Sequence, residues 1–310
     1  MRITVIGAGF MGAVIAAVYA RSGHRVLLHD RDERTLDSFP GRVRPILESL
    51  AGDVQDAAAL MARIRCEPKR AAAIAGADLV HEVIHESLPE KRSLFAELEG
   101  ICAPETVLAT NTSSFLLSDL CRDMARKDRV IGIHFITPAH VVRALEVIVN
   151  GQTPEPLLAW TRDFVRSLGY YPIVCRESPG FIVNRIQLAM LAEVHRMMEE
   201  GLASADDIDA AVRLSLGPRW ALWGALACED LVASKRTALA VLEYMRDRTG
   251  REHFEPTPTL RRMVAEGRLG AEAGQGWHEW PRPNDELVIR RDRQLADILQ
   301  WLERQDSIRT

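Results

Sequence analysis

Short apolar runs and glycine-centred breaks alternate from the start of the chain. Ile3 to Ile6 reads as a buried strand, Ala13 to Ser22 as an alanine-rich helix, and Arg25-Val-Leu-Leu-His-Asp30 as a second strand, with turns at Gly7 and Gly23. The alternation continues with helices expected over residues 39–62, 68–75, 89–101, 117–124 and 156–168. Between them, strands are expected over 63–66, 77–84, a run ending at Thr110, a run around His134 and 171–175. Such an order predicts an α/β fold, a doubly wound parallel Rossmann sheet with ligands at the carboxyl ends of its strands. Glu86, Asn111 and Ser113 fall at such ends.

After Ser178-Pro179-Gly180 the pattern becomes helical, over 181–200, 205–216, 223–250, 259–266 and 284–304. The expected domains are therefore a nucleotide-binding unit over 1–177 and an all-α unit over 178–310. The helix expected over 181–200 carries apolar residues on more than one face, which predicts burial between neighbours, one of which can be another subunit. Asn184 lies in its first turn.

At 310 residues, two domains are the ordinary expectation. The apolar content of 47% and net charge of −4 fit a soluble enzyme-sized protein and give no reason to expect nucleic acid or a membrane as partner. The five scattered cysteines form no C-x-x-C pair and stand beside no histidine at ligand spacing, so packed thiols and no metal are expected. Arg2 and the uncharged stretch to Ala20 imitate a secretory signal. The glycines and the second strand ending in Asp30 fit a nucleotide fold better, and a cytoplasmic protein is expected.

Gly7-Ala8-Gly9-Phe10-Met11-Gly12 is a G-x-G-x-x-G loop between a strand and a helix. Gly7 makes the turn, Gly9 admits a pyrophosphate close to the backbone, and Gly12 lets helix and sheet approach. Phe10 and Met11 complete the loop that would face the dinucleotide. Asp30 stands where a carboxylate accepts from both ribose hydroxyls and repels a ribose phosphate, which favours NAD over NADP. Arg31 and Arg34 pull the other way, since an arginine there can serve a phosphate.

Ser113 lies at the end of one apolar stretch, and His134 and Glu146 lie inside two others. A hydroxyl, an imidazole and a carboxylate in such surroundings point to proton transfer. A histidine in an apolar strand is by itself as readily structural; the surrounding residues give it a chemical reading.

Gly7-Ala-Gly-Phe-Met-Gly, Asn111-Thr-Ser-Ser, Ile133-His-Phe, Leu145-Glu-Val-Ile and Pro179-Gly-Phe-Ile-Val-Asn-Arg resemble the 3-hydroxyacyl-CoA dehydrogenase family. The resemblance spans nearly the whole chain and is closest to the branch containing lambda-crystallin, an L-gulonate dehydrogenase. It implies His134 as general base, Glu146 as its orienting carboxylate, and Ser113 and Asn184 as contacts to the reacting oxygen. It also implies Glu86, Lys91 and Asn111 at the nicotinamide ribose, and a homodimer formed through the helical domain. The family with a similar N-terminus that uses a catalytic lysine is disfavoured, because Pro179 to Arg185 contains none.

Departures from the family pattern bear on the substrate. Thr137 replaces the usual asparagine, and residues 31–60 contain no lysine to meet CoA phosphates, although Arg42 and Arg44 could partly substitute. Arg219, in Gly217-Pro-Arg-Trp, suits bidentate capture of a free carboxylate; a surface or helix-capping role is the competing reading. The expected activity is NAD-dependent oxidation of a small L-3-hydroxy acid. The alternatives are a 3-hydroxyacyl-CoA substrate and a non-catalytic, crystallin-like NAD-binding protein.

Overall fold

In the computed structural model, which describes residues 1–51, 54–280 and 285–305, the apolar runs of the first half lie side by side in one sheet. The elements are β1 (Arg2–Ile6), α1 (Phe10–Arg21), β2 (Arg25–His29), α2 (Glu33–Ala51), α3 (Val54–Met61), β3 (Ile64–Cys66) and α4 (Arg70–Ile74). They continue with β4 (Leu79–Glu82), α5 (Leu88–Ile101), β5 (Val107–Thr110), α6 (Leu117–Leu120), β6 (Val130–Phe135), β7 (Ala144–Val149), α7 (Glu155–Ser167) and β8 (Tyr171–Arg176). The eight strands are ordered β3-β2-β1-β4-β5-β6-β7-β8.

Neighbouring strands pair parallel except at β6 and β7, which are antiparallel. This departs from a wholly parallel sheet, and the reason is local. Residues 136–143 are too few for the crossover of a dozen or more residues that a parallel pair needs. The reversal sets His134 directly opposite Glu146.

Helix α1 is buried from Gly12 to Ala20, as its lack of polar residues requires. A Cβ at Gly12 would lie 1.8 Å from the Gly7 carbonyl oxygen, so only glycine lets this helix start against the loop. Helix α2 starts at Glu33 rather than at residue 39 and continues through Pro40 and Pro45. The Asp32 carboxylate accepts from Arg34 N at 3.0 Å and fixes that earlier start. Gly52 and Asp53, inside the expected 39–62 helix, lie outside the described residues, as does Asn284. The helix expected over 117–124 is only α6.

The chain divides into two compact units, Met1–Leu191 and Ala192–Thr310. Helix α8 (Val183–Glu199) follows the sheet and is followed by α9 (Ala205–Ala211), α10 (Gly217–Trp223), α11 (Ala225–Val232), α12 (Lys235–Thr249), α13 (Pro258–Ala265) and α14 (Asp285–Glu303). No residue of α8 is buried, so the expected enclosure between neighbours is not supplied by the described residues. The expected 205–216 helix ends in a π turn, Val212–Leu216, where Gly217 N–H reaches back to Val212 O ahead of Pro218. The expected 223–250 helix is broken twice. Gly224 takes φ +75°, and extended Ala233 precedes Ser234, whose hydroxyl caps Arg236 N. Among the described residues, no helix is long and apolar enough to cross a membrane.

The second unit encloses a polar knot at Asp230. Its carboxylate accepts from Lys235 Nζ, from Trp277 N and His278 N at 3.1 and 3.0 Å, and from Trp280 Nε1 at 3.0 Å. A Cβ on Gly276 would meet this carboxylate at 2.1 Å, and one on Gly270 would meet the Asp230 carbonyl oxygen at 2.8 Å.

Candidate active site

At the carboxyl ends of β1, β2, β4 and β5 lies a cavity of about 890 Å³. Of the expected cofactor residues, Gly7, Gly9, Phe10, Met11, Asp30, Arg31, Glu86 and Asn111 line it, together with Ser113. Gly12 and Lys91 do not, for reasons of packing. Gly7 holds φ +108° with Val83 O where a Cβ would be, while the space off Gly9 is open. No side chain caps the first turn of α1, whose N–H groups remain for an anion. A turn glycine, an open glycine and an uncapped helix start together fit the pyrophosphate of a dinucleotide.

The Asp30 carboxylate at the end of β2 is fixed by Ala8 N at 2.7 Å and Asp32 N at 3.0 Å. Arg31 pairs with Glu90 at 3.4 Å, and Arg34 stands 3.8 Å from Asp32, so carboxylates engage both arginines beside it. Arg42, expected as a partial substitute for the missing lysines, donates instead to Ala8 O at 2.7 Å and Thr35 O at 2.8 Å.

His134 and Glu146 are both buried, and Nδ1 stands 2.7 Å from Glu146 Oε2. Glu146 Oε1 accepts from Ile182 N and Val183 N, each at 2.9 Å. Burial pushes this carboxyl up, but the His134 and backbone hydrogen bonds more than offset it and hold it below the ordinary glutamate range. An ionised Glu146 draws the imidazole proton to Nδ1 and leaves the Nε2 lone pair to accept another. Phe181, beside this ring with centroids 5.8 Å apart, takes φ +51° and turns the chain so that Ile182 and Val183 present their N–H groups to Glu146. Pro179-Gly180 marked a break there in the sequence, but nothing marked the strain at Phe181.

Ser113 sits on the loop after β5. Asn184, in the first turn of α8, donates through Nδ2 to the Ser113 carbonyl oxygen at 3.0 Å. Asn111 Oδ1 accepts from Phe135 N at 2.8 Å and ties the loop to the residue after His134. Glu86 Oε1 gathers Thr112 Oγ1 at 2.5 Å, Ser113 N at 3.0 Å and Ser114 Oγ at 3.2 Å. Burial raises the Glu86 carboxyl, and these bonds with the Lys91 charge pull it below the ordinary range.

Lys91 is buried beneath the cavity. Its ammonium donates to Glu82 Oε1 at 2.5 Å and Ile84 O at 3.2 Å, and stands 3.3 Å from Glu86 Oε2. Burial holds the Glu82 carboxyl above its ordinary value, against the opposing pull of Lys91, Thr110 and Ile84. Sequence reading passed over Glu82 and Thr112, because an acid at a strand end and a hydroxyl in a Thr-Ser-Ser run carry no pattern of their own.

Arg219 lies in α10 of the second unit, half-buried, with Nε donating to Ser215 O and an Nη to Ser215 Oγ, both at 3.0 Å. Among the described residues, no group of acids, histidines and cysteines could hold a metal ion.

Residues 2–178 match the family model "3-hydroxyacyl-CoA dehydrogenase, NAD binding domain", and residues 180–280 match "3-hydroxyacyl-CoA dehydrogenase, C-terminal domain". The mitochondrial hydroxyacyl-coenzyme A dehydrogenase of Sus scrofa is 33% identical over 288 residues, covering 90% of each chain. The solved 3-hydroxyacyl-CoA dehydrogenase of Archaeoglobus fulgidus superposes with a TM-score of 0.83 at 28% identity, over 98% of this chain and 100% of that one. A solved NAD+-dependent dismutase, the 5-dehydrogenase of a 5-formyl-3-hydroxy-2-methylpyridine 4-carboxylic acid, gives 0.72 at 25% identity, over 98% and 99%.

Proposed function

Since the chain belongs to the 3-hydroxyacyl-CoA dehydrogenase family, NAD-dependent oxidoreductases acting on CH–OH groups, we propose that it oxidises the L-3-hydroxyl of a small 3-hydroxy acid to the 3-keto compound. The observation that carries the chemistry is the 2.7 Å bond between His134 and Glu146 across an antiparallel strand pair. Bound NAD supplies the hydride acceptor. His134 Nε2 takes the hydroxyl proton, and Glu146 keeps the ring in the accepting tautomer and stabilises the imidazolium that forms. Ser113 and Asn184 hold the reacting oxygen, while Glu86 and Asn111 serve the nicotinamide ribose and buried Lys91 supports Glu86 from beneath.

Three features support a free acid. Arg42 is spent on backbone carbonyls, residues 31–60 hold no lysine, and Arg219 offers a guanidinium whose present acceptors are uncharged. The Gly217-Pro-Arg-Trp run also supports a place in the lambda-crystallin branch. A CoA thioester is the second reading, because the pig and Archaeoglobus relatives are named for such substrates. NADH formation measured with L-3-hydroxybutyrate, L-gulonate, L-carnitine and L-3-hydroxybutyryl-CoA tests the choice. Free-acid turnover is expected, and turnover of the thioester alone overturns the carboxylate reading.

The proposal includes a homodimer through the helical domain, which would cover Ile186 and Leu188, 51% and 57% exposed on α8. Light scattering showing only monomer at micromolar concentration would remove it. A cytoplasmic location is part of the same reading, supported by five free cysteines.

A further inference from the structure

We infer that Glu82, which the scheme above leaves idle, is a positioning residue that locks the Ser113 loop to the wall of the nucleotide cavity. The kinetic half of this inference rests on the proposed dehydrogenase reaction; the nucleotide-affinity half does not.

Glu82 ends β4 and has no exposure, and a carboxylate so placed is costly unless its oxygens are fully used. Here they are divided between two loops. Oε1 accepts from Ile84 N at 2.7 Å and Lys91 Nζ at 2.5 Å, both belonging to the segment after β4. Oε2 accepts from Thr110 Oγ1 at 2.7 Å, and Thr110 Oγ1 in turn accepts from Thr112 N at 3.1 Å on the loop after β5. The Glu82 carbonyl oxygen adds a bond from Asn111 N at 2.9 Å.

A second carboxylate closes the circuit. Lys91 passes from Glu82 to Glu86, and Glu86 collects the Thr112 hydroxyl, the Ser113 N–H and the Ser114 hydroxyl. The ring Glu82, Lys91, Glu86, Thr112, Thr110 thus returns to Glu82, with Ile84 on one side and Ser113 on the other, both lining the cavity. Glu82, Lys91, Thr110 and Thr112 are buried and Glu86 alone meets solvent, and a linked network of this kind fixes geometry more firmly than its bonds taken singly. Misplacing a reacting group by about 1 Å can cost on the order of a hundredfold in rate, so the ring need shift the loop only slightly to be felt.

The test compares Glu82→Gln with Thr110→Val. Glutamine keeps the shape but leaves Lys91 without its buried counter-charge, so Ile84, Glu86 and the Ser113 loop should all relax. The expected result is an NADH Kd about tenfold weaker by fluorescence titration and a kcat at saturating NAD about ten- to a hundredfold lower. Thr110→Val cuts only the Oε2 arm, so kcat should fall about tenfold while the NADH Kd stays within about twofold. Glu82→Asp, which restores the charge, should recover part of the lost affinity. A purely structural role predicts a lower Tm with kcat and Kd within about twofold of wild type in both variants, and that result overturns the inference. If the wild type turns nothing over, the proposed reaction fails, and the Glu82→Gln Kd alone decides this one: about tenfold weaker supports it, unchanged rejects it.

Discussion

Glu146, in the sheet of the first unit, and Asp230, on α11 of the second, are both fully buried carboxylates that accept from two backbone N–H groups and from one basic side chain. They differ in what the basic partner can do. Lys235 has no exposure and no lone pair when charged, and Asp230 is closed on all sides by Trp277, Trp280, Gly270 and Gly276. His134 gives Glu146 one nitrogen and keeps the other, an acceptor with the proton on Nδ1. The same device therefore makes a clamp where the partner is an ammonium and a proton-handling site where it is an imidazole.

The sharpest way to break this comparison is to remove one carboxylate of each kind. Asp230→Ala leaves Lys235 buried and unpaired, with an expected loss of roughly 3–5 kcal/mol in stability by urea unfolding. A double change, Asp230→Leu with Lys235→Met, should recover much of that loss, since removing both charges spares the uncompensated one. No recovery would show that the knot depends on shape rather than charge.

Glu146→Gln should act in the other register. The amide imposes no tautomer on His134 and cannot stabilise an imidazolium, so kcat should fall on the order of a hundredfold. A fall in Tm with kcat untouched would place Glu146 beside Asp230 as a structural acid.

Arg219→Met should raise KM for a free-acid substrate by roughly tenfold, the value of one charge-assisted contact, while leaving kcat in place. An unchanged KM would return Arg219 to its helix, where Ser215 already holds it.

The smallest expected effect is in the pH dependence of stability. Glu146, Glu86 and Asp230 are all held below their ordinary pKa values, for Asp230 because donors led by Lys235 outweigh the burial that raises it. Their stabilisation is complete above the unfolded-state carboxyl values and is lost as pH falls through the depressed folded values. Burial pushes His81 down to about 3, so its share of the stability is lost progressively as pH falls below about 6.5; thermal melts should be level above about pH 7, decline from about pH 6 and fall more steeply below about pH 4. Glu82, raised by burial, works in the opposite sense and blunts the fall. Stability that stays level from about pH 7 down to about pH 4 would contradict these assignments.

The sheet was legible because its strands are short and apolar and most are separated by helices, and the nucleotide loop because of its three glycines, of which Gly7 and Gly12 meet a steric demand while Gly9 leaves open space. The reversal at β7 was not, since direction depends on the length of the 136–143 link rather than on periodicity. The start expected at residue 39 missed the turn from Glu33, where Asp32 caps the helix. His134 and Glu146 could be picked out as lone polar groups in apolar runs, and Ser113 as a hydroxyl at the end of one. Glu82 could not, because its importance lies in contacts with Thr110 and Lys91 from other elements.

The most direct test is His134→Ala, assayed for NADH formation on the best hydroxy-acid substrate and for NADH affinity by fluorescence. General-base removal predicts a kcat lower by about two to four powers of ten with the Kd for NADH within about twofold of wild type. A variant that turns over within about threefold of wild type would contradict the assignment of His134 as the proton acceptor.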